Sequence, residues 1–456
     1  MSERILIIQM AKLGDFIQTT PLLGNLRHKH SRAEIVVAAE QPTVLAAARL
    51  SPLVDTVVKI DDGLNSLEYL GNFSDTLVLN SHLRAVSLAA TVRAKNHYGP
   101  RLTQGKVGFT SAQNFLMALM RLRREAGRFN LVDVWTALCP GAAPHPLAWP
   151  TVAPAGLIPQ STEIKVGFQM GSRNHLRRWP VENFIQLAAE LNQLMSGKTL
   201  TPVLLGSDEE RAMGAKFEKM NAERGLVAPI NLIGRTSLEE LGRTVAGLDL
   251  LITADTGVMH LAAAVGTPVL ALFFGPAFGP ETGPYGPGHL IYQASAPCAP
   301  CRESGDCRRR QCLEMPVPAI AAHLAAKMIA APNSPDEPLS DSAPPLPAGH
   351  RVWRTTADGF GQSLRPLGRP VLTADEALIH LITTAGRGLI RPGYQSAAAD
   401  LREMLAAYQP PGPPLAVDGR FLSNLAGQGL ADNQPARENF VAAARELART
   451  FGLEFA

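Results

Sequence analysis

The sequence lacks a long uninterrupted apolar run. The longest, residues 260–275, is broken by Gly266 and Pro268 and falls short of the ~20 residues a membrane helix needs. At the N-terminus only residues 5–8 are apolar before Gln9, too few for a signal-peptide core. Both absences point to a cytoplasmic location. Charge of one sign is also lacking: 43 basic against 40 acidic residues leave +3, too little to argue for a nucleic-acid partner. No Gly-x-Gly-x-x-Gly occurs, which argues against a dinucleotide-dependent dehydrogenase. The segment Gly197-Lys198-Thr199 has only the tail of a P-loop. Asn192 stands where that motif needs its first glycine, and the segment follows a helix pattern instead of a strand. Cysteine is scarce, five in 456 residues, so a disulfide framework is not expected.

What is present is a chain too long for one core, since single cores rarely exceed ~250–300 residues. Short apolar runs at 5–8, 34–37, 56–60 and 76–79 read as buried strands, with helical patterns at 16–29, 85–94 and 112–138 between and after them. That alternation indicates a parallel sheet with crossover helices. Six prolines between 140 and 159 interrupt it, and then it restarts with strands at 164–168, 202–205, 248–253 and 268–273. The expected organisation is an α/β domain at 1–140, a Pro-rich linker at 141–160, a second α/β domain at 161–330, a Pro-rich linker at 331–349 and a helical accessory region at 350–456. Helices are expected in the last region at 373–384, 397–408 and 436–451, and it carries no recognisable chemistry.

Four segments carry candidate chemistry. Asp255-Thr256-Gly257-Val258-Met259-His260 follows an apolar strand and opens an Ala-rich helix, which places Asp255, Thr256 and Gly257 at a sheet edge where α/β proteins bind ligands. Asp255 as a plain N-cap and His260 as a packed helix residue are the alternative. Lys12-Leu13-Gly14-Asp15 makes the same strand-to-helix turn at the start of the chain, with Asp15 a base or an N-cap. Arg173-Asn174-His175-Leu176-Arg177-Arg178-Trp179-Pro180 puts cations ahead of a helix start and suits a diphosphate, or is a solvated loop. Asp208, after the strand at 202–205, could accept from a ribose diol or cap a helix. Separately, Cys298, Cys301, Cys307 and Cys312 are close enough in sequence to share one structural Zn²⁺, though the spacing is not that of the common zinc modules; reduced structural thiols and redox chemistry are the other readings.

In their order along the chain these segments resemble glycosyltransferase family 9, the ADP-heptose:lipopolysaccharide heptosyltransferases. The resemblance runs from Ile5 through Leu13-Gly14-Asp15-Phe16-Ile17-Gln18-Thr19-Thr20-Pro21, Arg177-Arg178-Trp179-Pro180 and Asn231-Leu232-Ile233-Gly234. It continues through Asp255-Thr256-Gly257-Val258-Met259-His260-Leu261, Leu272-Phe273-Phe274-Gly275-Pro276 and Cys298-Ala299-Pro300-Cys301. It implies a GT-B fold, two Rossmann-like domains with parallel sheets facing across a cleft. It also implies inverting, metal-independent transfer of a sugar from a nucleotide-diphosphate donor such as ADP-heptose to a lipid-linked glycan acceptor. Asp15 then matches the general base. Arg177, Arg178, Asp208, Asp255, Thr256, Gly257 and His260 match donor-binding positions. Arg177 departs from the usual Lys, and the extension from 331 to 456 departs from the family's length. The lipid-linked acceptor implies peripheral contact with the inner membrane, for which the basic-apolar stretch 115–128 is the candidate surface. A sugar-nucleotide epimerase or a non-catalytic nucleotide-sugar binder of similar architecture are the competing functions.

Overall fold

The computed structural model describes residues 3–63, 65–103, 105–108, 128–139, 144–150, 157–158, 163–296, 298, 301, 307, 310–331, 343–358, 361–367 and 383. In the first domain β1 (Arg4–Ile8), α1 (Leu13–Lys29), β2 (Glu34–Ala39), α2 (Pro42–Leu50), β3 (Thr56–Lys59), β4 (Asn72–Val78), α3 (Leu83–Ala90) and β5 (Arg93–Tyr98) alternate. The five strands pair in parallel in the order β3-β2-β1-β4-β5. β1 is central and covered on both faces, which is why Ile5, Leu6, Ile7 and Ile8 form an unbroken apolar run with no exposure. β5 is an edge strand and polar, so the helix expected over 85–94 stops at Ala90 and its last residues join a strand instead. A small hairpin, β6 (Arg101–Thr103) and β7 (Lys106–Gly108), follows.

α1 keeps Pro21 inside it. Proline has no N–H for the carbonyl of Ile17, and the Thr20 hydroxyl donates to that carbonyl at 2.7 Å instead. The single helix expected over 112–138 is interrupted: residues 128–130 are not helical, and Asn130 caps a short α4 (Leu131–Thr136) that packs on α1. Residues 109–127, with the basic-apolar stretch around Arg121, Arg123 and Arg124, lie outside the described residues.

The second domain runs β8 (Ile164–Gln169), α5 (Val181–Leu194), β9 (Leu200–Leu205), α6 (Arg211–Glu223), β10 (Ile230–Asn231), α7 (Leu238–Ala246), β11 (Leu250–Ala254), α8 (Gly257–Ala264), β12 (Val269–Phe273), α9 (Gly279–Thr282), β13 (Leu290–Ala294) and α10 (Pro318–Ala330). Strands β8 to β13 form a parallel sheet in the order β10-β9-β8-β11-β12-β13. The stretch Gln311–Ala330 is apolar, with a mean hydropathy of 1.2. Its apolarity serves the core: Ile320, Leu324 and Met328 are buried, and α10 packs against α5.

The expected pair of Rossmann-like domains is therefore present, but the extension begins differently from expectation. Residues 350–366 are not helical. They form β14 (His350–Asp358) and β15 (Gly361–Pro366), a hairpin that adds two antiparallel strands to β13 and completes an eight-stranded sheet. Val352 and Trp353 are buried in the second domain's core, so the start of the extension is built into that domain. The expected helices at 397–408 and 436–451, and all but Thr383 of that at 373–384, lie outside the described residues. The Pro-rich connector is likewise anchored where described: Leu147 is buried at the domain junction, and the Ala148 N–H donates to Thr20 Oγ1 at 2.8 Å.

Candidate functional site

Each sheet reverses strand order beside its first strand, β1 between β2 and β4, and β8 between β9 and β11. Ligands of open α/β sheets bind outside the strand C-termini at such a reversal. The two reversals face each other across a cleft of about 1780 Å³. One small-molecule ligand occupies ~300–1,000 Å³, so the cleft has room for two substrates.

On the first domain the loop after β1 is fixed by a polar network. Asn80 Nδ2 donates to Gln9 Oε1 at 2.9 Å, the Met10 N–H donates to Asn80 Oδ1 at 2.6 Å, and Gln9 Nε2 donates to Thr19 Oγ1 at 3.0 Å. Asp15 stands in the first turn of α1 and lines the cleft. Its Oδ2 accepts the Lys12 N–H at 3.0 Å, so it does brace the helix start. Burial nevertheless raises its pKa. The Lys12 N–H lowers it in part, and the negative charge of Asp255 on the other domain raises it further. A carboxyl held above its ordinary range and open to a cleft is suited to taking a proton.

The starts of α1 and α8 meet at the domain junction. A Cβ on Gly14 would stand 2.7 Å from His260 Cδ2, and one on Gly257 3.4 Å from the Gly14 nitrogen. Glycine at both positions lets two helix N-termini converge on one space, where their free N–H groups favour an anion. Asp255 is 8% exposed and accepts from Arg177 Nη1 at 2.8 Å. His260 is buried, and desolvation lowers its pKa to about 4 against a partial upward pull from Asp255, so the imidazole is neutral at pH 7. Asp255, Thr256, Gly257, His260 and Arg177 all line the cleft together with Asp15, as the sequence pattern suggested.

Two expected donor-site residues point elsewhere. Arg178 turns back, and its Nε donates to the Ser172 carbonyl, bracing the loop instead of lining the cleft. Asp208 is bound by Arg211 Nε at 2.8 Å beside Gly234, on the side away from the cleft. Glu210, two residues on, faces the cleft in its place. Its carboxylate accepts the Ser207 N–H and lies over Gly171 and Gly206, where a Cβ would meet it at 2.0 and 2.6 Å. The signal was in the sequence: Ser207-x-x-Glu210 is capping-box spacing, which turns the Glu toward the loop. Arg173 also lines the cleft and is exposed to it.

Among the described residues no three His, Cys, Asp or Glu are grouped as metal ligands. None of the four clustered cysteines is joined in a disulfide; Cys312 is buried and Cys298 exposed. Burial pushes the Cys312 thiol up, and Cys307, Cys298 and Cys301 add to that, which puts all four within electrostatic reach of one another. Cys139 is buried in the first domain's core.

Two Rossmann-like domains whose strand ends face each other across a deep, charged cleft define the GT-B architecture. Residues 150–311 match the model of glycosyltransferase family 9 (heptosyltransferase). Asp15 lies outside the matched residues. Lipooligosaccharide heptosyltransferase 2 of Haemophilus influenzae is 29% identical over 123 residues, 27% of this chain and 33% of that protein. Lipopolysaccharide heptosyltransferase 1 of Pseudomonas aeruginosa is 40% identical over 96 residues, 21% of this chain and 25% of that protein. The alignments thus span a third or less of these relatives' own length. Among solved structures, the glycosyltransferase family 9 protein of Veillonella parvula overlays with a TM-score of 0.49 and 19% identity, covering 64% of this chain and 86% of that one.

Proposed function

We propose that the protein is an inverting glycosyltransferase of lipopolysaccharide biosynthesis. In this reading it moves a sugar, heptose from ADP-heptose, onto a lipid-linked glycan. The observation that carries the proposal is the opposition of Asp15 on one domain to Arg177, Asp255 and Gly257 on the other, across a space large enough for donor and acceptor together. Asp15 takes the proton of the acceptor hydroxyl as that oxygen attacks the anomeric carbon. The bond to the diphosphate breaks on the opposite face, so configuration inverts. Charge on the leaving nucleotide is met by Arg177, Arg173 and the N–H groups at the start of α8, which supply what a metal would otherwise supply. Glu210, in place of Asp208, is assigned to the ribose hydroxyls. His260, being neutral, adds no cation and serves as a packing and hydrogen-bonding wall beside Gly14.

The zinc expected on Cys298, Cys301, Cys307 and Cys312 would be structural and takes no part in the transfer; elemental analysis of protein purified without added metal reads it directly. The enzyme is proposed to work in the cytoplasm with peripheral contact at the inner membrane.

The test is a thermal-shift panel of ADP, GDP, UDP and CMP followed by nucleotide release from the preferred sugar donor with and without acceptor. Acceptor-dependent release supports the proposal. Turnover of the donor without acceptor would make the protein an epimerase, and binding with no release would make it a binding protein.

A further inference from the structure

Asp133, on α4 of the first domain, is 7% exposed, and both of its oxygens are occupied by groups remote in sequence. Tyr285 Oη donates to Oδ1 at 2.7 Å, and the Gln362 backbone N–H donates to Oδ2 at 3.1 Å. The Gln362 side chain closes the ring, its Oε1 accepting the Gly286 N–H at 2.8 Å. One buried carboxylate thus joins the first domain, the loop between β12 and β13 of the second, and the β14–β15 hairpin. Two further contacts repeat the joint: Asn130 Nδ2 donates to the Gly283 carbonyl at 3.2 Å, and the Arg128 guanidinium lies 5.4 Å from the Trp353 ring centre.

The approach of the hairpin depends on a single glycine. Gly361 has φ +127°, and a Cβ there would stand 2.0 Å from Asp133 Oδ1. A buried carboxylate is costly unless hydrogen-bonded, so the ring is stable only with all three segments in place. The same segments frame the cleft. Leu131 and Trp135, on either side of Asp133, line one wall. Glu281 and Thr282, just before Gly283, line the other, and the Thr282 hydroxyl lies 3.4 Å from Asp255 Oδ2.

We infer that the β14–β15 hairpin is an interdomain strap, and that Asp133 is a positioning residue through which it holds the two cleft walls in register. The strap works by fixing α4 against the 283–286 loop, so that Asp15 is presented to the donor face. This catalytic consequence rests on the function proposed above; the mechanical one does not.

The experiment uses the full chain and compares wild type with Gly361→Ala, which drives a methyl group into Asp133, and Tyr285→Phe, which removes one hydroxyl. Hydrogen exchange is read at residues 131–136 and 283–286, small-angle scattering reads domain separation, and calorimetry reads ADP affinity. Loss of one ring member should speed exchange in both segments by about tenfold, with strands β8 and β11 unchanged. ADP affinity should stay within about twofold, because the donor groups all lie on one domain, while kcat falls and donor KM holds. Should Gly361→Ala not fold, Tyr285→Phe alone reads the ring. Unchanged exchange and unchanged scattering in a folded variant would overturn the strap whatever the activity. A wild type without transferase activity would overturn the proposed reaction and leave the exchange result standing.

Discussion

The two domains bring the same elements to the cleft, a strand running into a helix start with glycine and an aspartate, and set the aspartate in different surroundings. On the first domain the pKa of Asp15 is pushed up by burial, drawn down by the Lys12 backbone N–H and pushed up again by the charge of Asp255. On the second, Asp255 is tied to Arg177 by a 2.8 Å ion pair. A carboxylate that keeps its proton affinity is useful as a base; one that holds a guanidinium is useful for aiming a cation at a phosphate. The two aspartates are thus separated by position, Asp15 inside the first turn of α1 and Asp255 just ahead of the Thr256 cap of α8, and by their neighbours.

The largest expected effect breaks the first half of the comparison. Asp15→Asn preserves the cap but not the base, and should cut kcat by ~10²–10⁴ with ADP affinity little changed, read by steady-state rates beside calorimetry. The same carboxyl sets a pH dependence: because burial raises its pKa, the acidic limb of kcat/KM should lie above the ordinary carboxylate range and disappear from the residual rate of the variant.

Arg177→Ala breaks the second half. It removes a phosphate partner and strands the buried Asp255, and should weaken ADP binding by about 10- to 100-fold, the worth of one or two hydrogen bonds to a charged group. Arg177→Lys should recover most of that loss, since the charge returns without the fork.

A smaller contrast sharpens the account of the nucleoside end. Glu210→Gln should weaken ADP binding by about tenfold, whereas Asp208→Asn should change it by less than about twofold, because Asp208 sits in an exposed pair with Arg211 outside the cleft. Equal effects of the two changes would place the ribose elsewhere.

The smallest effect concerns stability. His260 at the junction and His289 near the strap are both buried with pKa lowered to about 4 from 6.5. The fold refuses protons that the unfolded chain accepts, so their contribution is full above pH 6.5 and is lost as pH falls from 6.5 toward about 4. Denaturant unfolding at pH 7.5 and 5 should show a smaller stability difference in His289→Gln than in wild type.

Much of this was legible in the residues because the relevant signals are local. β1 and β11 are covered on both faces and therefore read as continuous apolar runs, and a glycine within two residues of an aspartate after each marks a helix start. The rest depended on tertiary geometry. Arg93–Tyr98 is polar because it is an edge strand, and nothing in its period distinguishes it from the end of α3. Arg354, Thr355 and Gln362 are buried although polar, so the β14–β15 hairpin carries no apolar alternation from which a strand could be read. Asp208 and Glu210 differ by two positions on one turn, and only the direction of that turn decides which carboxylate sees the cleft.

In the proposed reaction a base on one domain drives direct displacement of a diphosphate held on the other. The anomeric configuration of the transferred sugar tests it most directly, by NMR of the product formed from a donor of known configuration. Inversion at the anomeric carbon is the expected result. Retention would require a second displacement or a same-face mechanism, and would contradict the role given to Asp15.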